Sequence, residues 1–461
     1  MTGIPDKFIL ALINRLGDEN VLTQKADCWP YGGDNSRQHI CPAAVVFATS
    51  TDQIQSILNL CNEYSVPLVT RGRGTGTTGA TVPRAGEIVL SLERMNKILQ
   101  LSPADRYIVV EPGVTNSEVQ QAAAAHGFFW APDPTSADFC TVGGNLAYNS
   151  AGPRAVKYGT PRENTLGLKA LTGTGQLITA GVRTTKGVVG YDLTRLLIGS
   201  EGTLAIITEA TLKLIPLPET IHTLQLFYDD INSAAQAVSS IMAQPVIPCA
   251  LEFIDHQAID IIRDYSSLEL PKSIGAMLMV EVDGSQASMG DAITAVQQAA
   301  SNPGLQQMHT ARTDEERESL WKIRKALSPA LRQIAPKKIN EDVVVPVSAI
   351  PALLAALNKL ASQYKITIVN FGHAGNGNIH VNLLIDPEQA EQLKNAQACL
   401  SDVFDCVLSL GGSLSGEHGV GLAKKDFVSR EINQSTLMIM KQLKALFDPN
   451  NILNPGKTLP D

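Results

Sequence analysis

Arg71-Gly72-Arg73-Gly74-Thr75-Gly76-Thr77-Thr78-Gly79 is the stretch on which the reading of the fold turns. Gly74, Gly76 and Gly79 spell G-x-G-x-x-G, the fingerprint of a Rossmann dinucleotide fold. That fingerprint must open a helix, with an acidic residue near the end of the next strand. Here the chain runs on as Ala80-Thr-Val-Pro83-Arg-Ala-Gly86, where Pro83 and Gly86 spoil a helix. No Gly-Lys-Ser/Thr follows, so the stretch is not a P-loop either. It remains a good phosphate cradle: small residues expose backbone N–H groups, hydroxyls add donors, and Arg71 and Arg73 add charge. A plain glycine turn is the rival; the cradle implies a dinucleotide bound without a Rossmann fold.

Around the loop the periodicity alternates between strand and helix. Ile54, Ile57, Leu58 and Cys61 fall at helical spacing behind a Ser50/Thr51 cap, and Pro67-Leu-Val-Thr leads into the glycines as a short strand. A strand over 107–110, a helix over 116–126 and a strand over 128–130 follow. From Pro132 to Gly167 glycine and proline abound without periodicity, as in a segment held by something it wraps. A strand over 203–215 ends at Pro216-Leu-Pro218, where we place a domain boundary. The expected domains are 1–217 and 218–461. The second half restarts as strand 222–228, helix 230–243, strand 249–254, helix 255–265, strand 275–283 and helix 286–301. This alternation predicts an α+β sheet covered on one face. A helix over 314–334 carries Trp321, Arg324 and Ser328, the last two on one face at i, i+4. Strands 366–371 and 379–385 and helices 387–408 and 433–447 complete the chain.

The richest chemistry lies between those last strands and helices. Phe371-Gly-His373-Ala-Gly-Asn-Gly-Asn-Ile-His380-Val-Asn382 and Ser415-Gly-Glu417-His418-Gly place three histidines and a glutamate close together in a chain with eight histidines. Imidazoles plus one carboxylate among glycines make an open site for a borderline divalent metal such as zinc. His418, directly after the glutamate, is placed to move a proton beside it. Scattered surface histidines on glycine turns are the alternative.

Composition bounds the rest. A chain of 461 residues is too long for one core, and 44% hydrophobic with 18% charged residues is ordinary for a soluble protein. A net charge of −8 argues against a nucleic-acid partner. No apolar run reaches membrane-spanning length, and residues 1–18 read as an amphipathic helix rather than a signal peptide. Seven cysteines form no C-x-x-C pair, which argues against a disulfide framework or an in-chain iron–sulfur cluster and for a reducing cytoplasm.

Taken together the motifs become specific. Pro42-Ala-Ala-Val-Val-Phe, the glycine loop, Val110-Glu-Pro-Gly-Val, Pro132-Asp-Pro-Thr-Ser, Val142-Gly-Gly-Asn145 and Gly199-Ser-Glu-Gly202-Thr occur in the order of the vanillyl-alcohol oxidase type of FAD-binding domain. The second half resembles the FAD-linked D-2-hydroxyacid dehydrogenases, the group of D-lactate dehydrogenase, D-2-hydroxyglutarate dehydrogenase and the glycolate oxidase flavin subunit. The resemblance spans roughly residues 38–458. It implies an α+β fold: an FAD-binding domain, then a substrate domain with a mainly antiparallel sheet and a C-terminal helical segment returning to the flavin.

Carried over residue by residue, the resemblance implies that Arg71, Gly72, Gly74, Thr75 and Gly76, with Arg73 nearby, hold the pyrophosphate. Pro132, Thr135, Gly143, Gly144 and Asn145 would line the flavin, Glu201, Gly202 and Ile207 the adenosine and ring portions, and Asn454 the isoalloxazine. His373, His380 and Glu417 match metal ligands, with zinc favoured over manganese or cobalt. His418 matches the base; Arg324, Asn382 and Ser328 match substrate contacts. The implied reaction is oxidation of a 2-hydroxy acid to the 2-keto acid with hydride transfer to flavin N5. Arg71–Gly79 contains no histidine, so FAD is expected without a covalent bond. One departure stands out. D-2-hydroxyglutarate enzymes read Lys-x-Asp before a Val-Pro strand, the lysine gripping the distal carboxylate. Here Lys337-Lys338-Ile-Asn-Glu341-Asp342 shifts the lysine by about two positions, which favours D-lactate and leaves Lys338 a displaced candidate. An external acceptor is implied: a quinone, an electron-transfer flavoprotein or a separate iron–sulfur subunit. The expected protein is cytoplasmic, peripheral to the inner membrane only through that acceptor, and compatible with a homodimer. The rivals are a zinc hydrolase, and a flavin electron-transfer subunit with a structural metal.

Overall fold

The computed structural model of the chain describes residues 4–263, 273–311 and 313–460. The last two residues of the helix expected over 255–265 lie outside them; within them the helix is His256–Arg263. The chain divides into two compact units, residues 1–151, 159–217 and 417–461 in the first and 152–158 with 218–416 in the second.

Among the described residues the first unit holds a two-stranded sheet, Phe128–Phe129 with Ile215–Pro216, and two larger ones. In one, strands Ala44–Phe47 and Leu68–Arg71 flank Ile88–Ser91 in parallel, and Val21–Leu22 pairs antiparallel with Ala44–Phe47. Parallel strands of one sheet need a crossover, which helix Thr51–Tyr64 supplies between Ala44–Phe47 and Leu68–Arg71. Ser50 caps it, its hydroxyl accepting from the Gln53 N–H, and Ile54, Ile57, Leu58 and Cys61 are its buried face. The other sheet is antiparallel, in the order Ile98–Ser102, Tyr107–Val110, Ala205–Lys213, Thr165–Thr172, Leu177–Gly181. The segment expected to lack periodicity contains helix Val142–Tyr148, with Thr141 as its cap.

The expected split at 217/218 coincides with a unit boundary, but two segments group otherwise than the sequence reading had them. Residues 417–461 belong to the first unit because their end extends its parallel sheet. Leu453 bridges Leu68 in parallel, with Leu68 N donating to Ile452 O at 2.9 Å and Asn454 N to Leu68 O at 2.8 Å. Ile452 and Leu453 thereby enter the core of that sheet. Residues 152–158 belong to the second unit, where Tyr158 donates to Asp283 at 2.6 Å and Lys157 forms an ion pair with the same carboxylate.

The second unit is built on a seven-stranded sheet in the order Leu305–Ala311, Thr220–Tyr228, Ala276–Gly284, Ala250–Asp255, Thr367–Gly372, Asn378–Ile385, Lys337–Val344. Every pairing is antiparallel. Coverage differs from expectation: both faces are buried, not one. Helices His256–Arg263 and Asp314–Ile334 pack Ala258, Ile259, Leu327 and Leu331 on Phe227, Ile254, Met277, Val369 and Phe371. Side chains alternate along a strand, so Leu226, Phe253 and Leu278, all fully buried, face the opposite side. There Tyr228 donates to Ala300 at the end of helix Met289–Ala300. Helix Ile350–Tyr364, which the sequence reading did not pick out, packs against helix Ala390–Ser409 through a bond from Tyr364 to Asp402.

Candidate functional site

The first unit contains a cavity whose lining includes four glycines. Of the residues that sequence pointed to, Gly72, Gly143, Gly144, Glu201, Gly202 and Ile207 line it. Thr70, Pro112, Thr141, Tyr148, Ser200 and Ile206 also line it and were not anticipated. A Cβ on Gly72 would stand 2.3 Å from Thr141 Oγ1, and one on Gly143 would stand 2.7 Å from Pro112 Cβ, so neither position admits a side chain as built. The hydroxyl of Thr70, one of the lining residues, is buried and, among the described residues, has no hydrogen-bond partner. An unmatched donor beside bare backbone suits a ligand rich in phosphate oxygens, and the site fits FAD on that ground.

Other expected cofactor residues stand behind the lining. Arg71 is buried and donates to Gly33 O at 2.7 Å; its guanidinium lies where a Cβ on Gly74 would be, so it buttresses the loop. Arg73 is exposed, with Thr75 and Gly76 half-buried beside it. Asn116 Nδ2 ties Pro132 O to the buried Asn145 Oδ1, and Thr135 is exposed on the loop that follows. Asn454 donates to Ala80 O and Glu201 O and accepts from Lys457 Nζ at 2.6 Å. Glu201 sits at φ +51° and accepts from Val420 N at 2.6 Å, Gly421 N at 2.8 Å and Thr458 Oγ1 at 2.8 Å. Burial pushes its carboxyl above the ordinary range even against those bonds.

The second unit gathers charge instead. His373 follows strand Thr367–Gly372, and His380 projects from Asn378–Ile385, the turn between them closing at Gly377. Gly377 has φ +73°, and a Cβ there would meet Val345 O at 1.8 Å, so only glycine makes this turn. The rings meet edge to face with centroids 5.3 Å apart. Ser415 and Gly416 are pinned by the buried Asp342, whose carboxylate accepts from Ser415 Oγ at 3.1 Å and Gly416 N at 2.9 Å. Glu417 is the next residue in the chain. Two imidazoles held side by side, with a carboxylate next in the chain to the pinned Ser415-Gly416, are ligand types that fit a divalent ion of zinc type.

His418 is half-buried, its carbonyl accepting from Thr78 Oγ1 at 3.3 Å. Arg324 is buried under helix Asp314–Ile334, its guanidinium 4.8 Å over the Phe371 ring, and Nε donates to Glu252 Oε2 at 2.6 Å. Glu252 Oε1 lies 2.6 Å from His373 Nδ1. Burial pushes the Glu252 carboxyl up, yet His373 and Arg324 outweigh it and hold it below the ordinary range. Ser328 and Lys338 find each other, Nζ donating to Oγ at 2.7 Å. Asn382 donates to Val369 O and His380 O, while its buried Oδ1 has no partner among the described residues. Trp321 packs with Leu320 and Met279 and donates to Glu281. The sequence reading passed over Glu252; its signal was a lone carboxylate in the apolar strand Ala250-Leu-Glu-Phe-Ile-Asp255.

Residues 217–458 match the family described as FAD linked oxidases, C-terminal domain, and residues 42–181 the FAD binding domain family. The chain belongs to the FAD-linked oxidases, a class of flavin-dependent oxidoreductases. Among relatives, glycolate oxidase subunit GlcD of Bacillus subtilis (strain 168) is 39% identical over 97% of this chain and 95% of that protein. A D-lactate dehydrogenase of Anaerostipes hadrus is 34% identical over 90% of this chain and 89% of its own length. The solved structure of p-cresol methylhydroxylase with substrate bound superposes with TM-score 0.81 over 99% of this chain and 97% of that one. At 19% identity this shows a shared fold, of the vanillyl-alcohol oxidase type.

Proposed function

We propose that the chain oxidises a D-2-hydroxy acid, D-lactate in preference to others, to the 2-keto acid, with non-covalent FAD and a divalent metal, zinc before manganese or cobalt. The observation that carries the reading is the pairing of His373 and His380, edge to face with centroids 5.3 Å apart, on a turn that only glycine makes, with Glu417 next in the chain to the pinned Gly416; three ligands of these types leave coordination places for substrate oxygens. In those sites FAD supplies the two-electron acceptor and the metal supplies Lewis acidity toward a hydroxy carboxylate.

The chain's own residues do the rest. His373, His380 and Glu417 hold the ion; Asn382 offers a buried acceptor oxygen to a substrate donor. Arg324 contributes fixed positive charge for a substrate carboxylate. His418 receives the hydroxyl proton on its imidazole. Lys338 is held by Ser328, and two positions before Asp342, where a dicarboxylate enzyme would carry its lysine, the chain has Asn340. Both features favour a compact substrate, in keeping with the D-lactate and glycolate activities in the names of the relatives. Electrons then leave to an external acceptor. No described helix is long and apolar enough to cross a membrane, and we place the protein in the cytoplasm.

An anaerobic screen of D- and L-lactate, glycolate, D-2-hydroxyglutarate and D-malate, following flavin absorbance, tests the reading. D-lactate should bleach the flavin fastest; chelation should stop the bleaching with FAD still bound, and zinc should restore it. Full bleaching by verified metal-free protein would overturn the metal's role, and a strong preference for D-2-hydroxyglutarate would overturn the substrate ranking. No bleaching by any acid would favour an electron-transfer subunit.

A further inference from the structure

Glu252 is fully buried in strand Ala250–Asp255, shielded from bulk solvent. A carboxylate in that position is strongly destabilising unless other groups compensate it. Its two oxygens go to two different partners at 2.6 Å each, Arg324 Nε on one and His373 Nδ1 on the other. The three residues come from a strand, a helix and a strand end that lie 72 and 121 positions apart from the carboxylate. Nothing local in the chain brings them together; the sheet and the helix above it do.

We infer that Glu252 is a positioning residue for the metal site: it fixes the tautomer and ring direction of His373 and is itself locked by Arg324. An ionised carboxylate only accepts hydrogen bonds, so the His373 nitrogen facing it, Nδ1, must carry the hydrogen. The lone pair is thereby confined to Nε2, the nitrogen left for the ion. A ligand imidazole that donates its other N–H to a carboxylate is both oriented and made more basic. Arg324 binds the second oxygen, and its stacking over Phe371 keeps it from swinging away. Arg324 thus has a second duty, holding the carboxylate that holds the ligand. The inference rests on the metal reading proposed above.

The test uses purified flavoprotein stripped of metal by chelation and titrated with Co(II), whose visible absorption reports the ligand field, followed by competition with zinc. Glu252→Gln keeps the shape and removes the charge; it should weaken metal binding about 10- to 100-fold and alter the Co(II) spectrum, with FAD content unchanged. Glu281→Gln is the control, a second buried acid of the same sheet bonded to Trp321 and Thr223, and should leave both the affinity and the spectrum as in wild type. Arg324→Gln frees the other side of Glu252 and should shift the Co(II) spectrum in the same direction, which keeps the inference testable should Glu252→Gln not fold. Wild-type affinity and spectrum in the Glu252→Gln protein, or in Arg324→Gln if that alone folds, would overturn the positioning role and leave the metal reading standing. Failure of the wild type itself to bind Co(II) or zinc would overturn both.

Discussion

The cavity of the first unit and the histidine cluster of the second recognise by opposite means. The cavity works by omission: at Gly72 and Gly143 the absence of a side chain leaves backbone exposed, and the hydroxyl of Thr70 has no hydrogen-bond partner among the described residues. The cluster works by accumulation: Arg324 of one helix binds Glu252, Glu252 binds His373, and the His373 ring meets that of His380. Backbone cradles tolerate drift in the residues around them but no added atom. Charge networks tolerate small shifts in packing but not the loss of one member, because the remaining charge is then buried alone.

That contrast is easiest to break with His418→Ala. If the imbalance of chemistry is real, turnover falls by roughly 10²–10⁴, the usual size of general-base catalysis, while metal and FAD content stay at wild-type levels. Metal lost together with activity would make His418 a ligand, and the division of roles would have to be redrawn. Gly72→Ala probes the other region. Its Cβ would press on Thr141 Oγ1, and overpacking of this kind costs about 1–3 kcal/mol. FAD should therefore dissociate roughly 5- to 150-fold more readily, with Co(II) affinity untouched. A variant that retains FAD like wild type would show that the cavity wall yields, and that its recognition does not depend on bare backbone.

The same contrast governs how much could be read in advance. Elements with a strong local signal were legible: Thr51–Tyr64 from its cap and apolar face, Asp314–Ile334 with its full length, and strands such as Tyr107–Val110. The glycine loop and the histidines were legible because rare residue types at short spacing carry their own meaning. Leu305–Ala311 was missed because an exposed edge strand such as Leu-Gln-Gln-Met-His-Thr-Ala has no apolar run. The resemblance implied that the C-terminal segment returns to the flavin although the domain boundaries grouped it with the second half; the pairing of Leu453 with Leu68 that carries it, across nearly four hundred residues, has no local signal. Glu252 and Asp342 escaped for the same reason: a buried carboxylate explains itself only through partners that sequence spacing cannot show.

Asp255, three residues on from Glu252, offers the finest test of the charged region, because it is equally buried but faces dipoles rather than an arginine. Its Oδ1 accepts from Ala258 N at 2.8 Å and its Oδ2 from Asn370 N at 2.6 Å. Burial nevertheless prevails over these bonds and over the nearby His256, raising the carboxyl from 3.8 to about 6. An acid raised in the folded state keeps its proton there longer than in the unfolded chain. Between pH 3.8 and about 6 the native state therefore binds more protons, and stability falls as pH rises through that window. Asp255→Asn cannot titrate, so the difference between wild type and variant isolates this one group. On lowering the pH from about 6.0 to about 4.5 that difference should move by about 1.5 kcal/mol in favour of wild type. Hydrogen-exchange protection of the Asn370 amide, which donates to Asp255, measures it without requiring the two units to unfold together. A difference that stays constant with pH would mean that the dipoles of Ala258 and Asn370 solvate the charge as well as an arginine would, and the buried carboxylates of this sheet would then be of one kind rather than two.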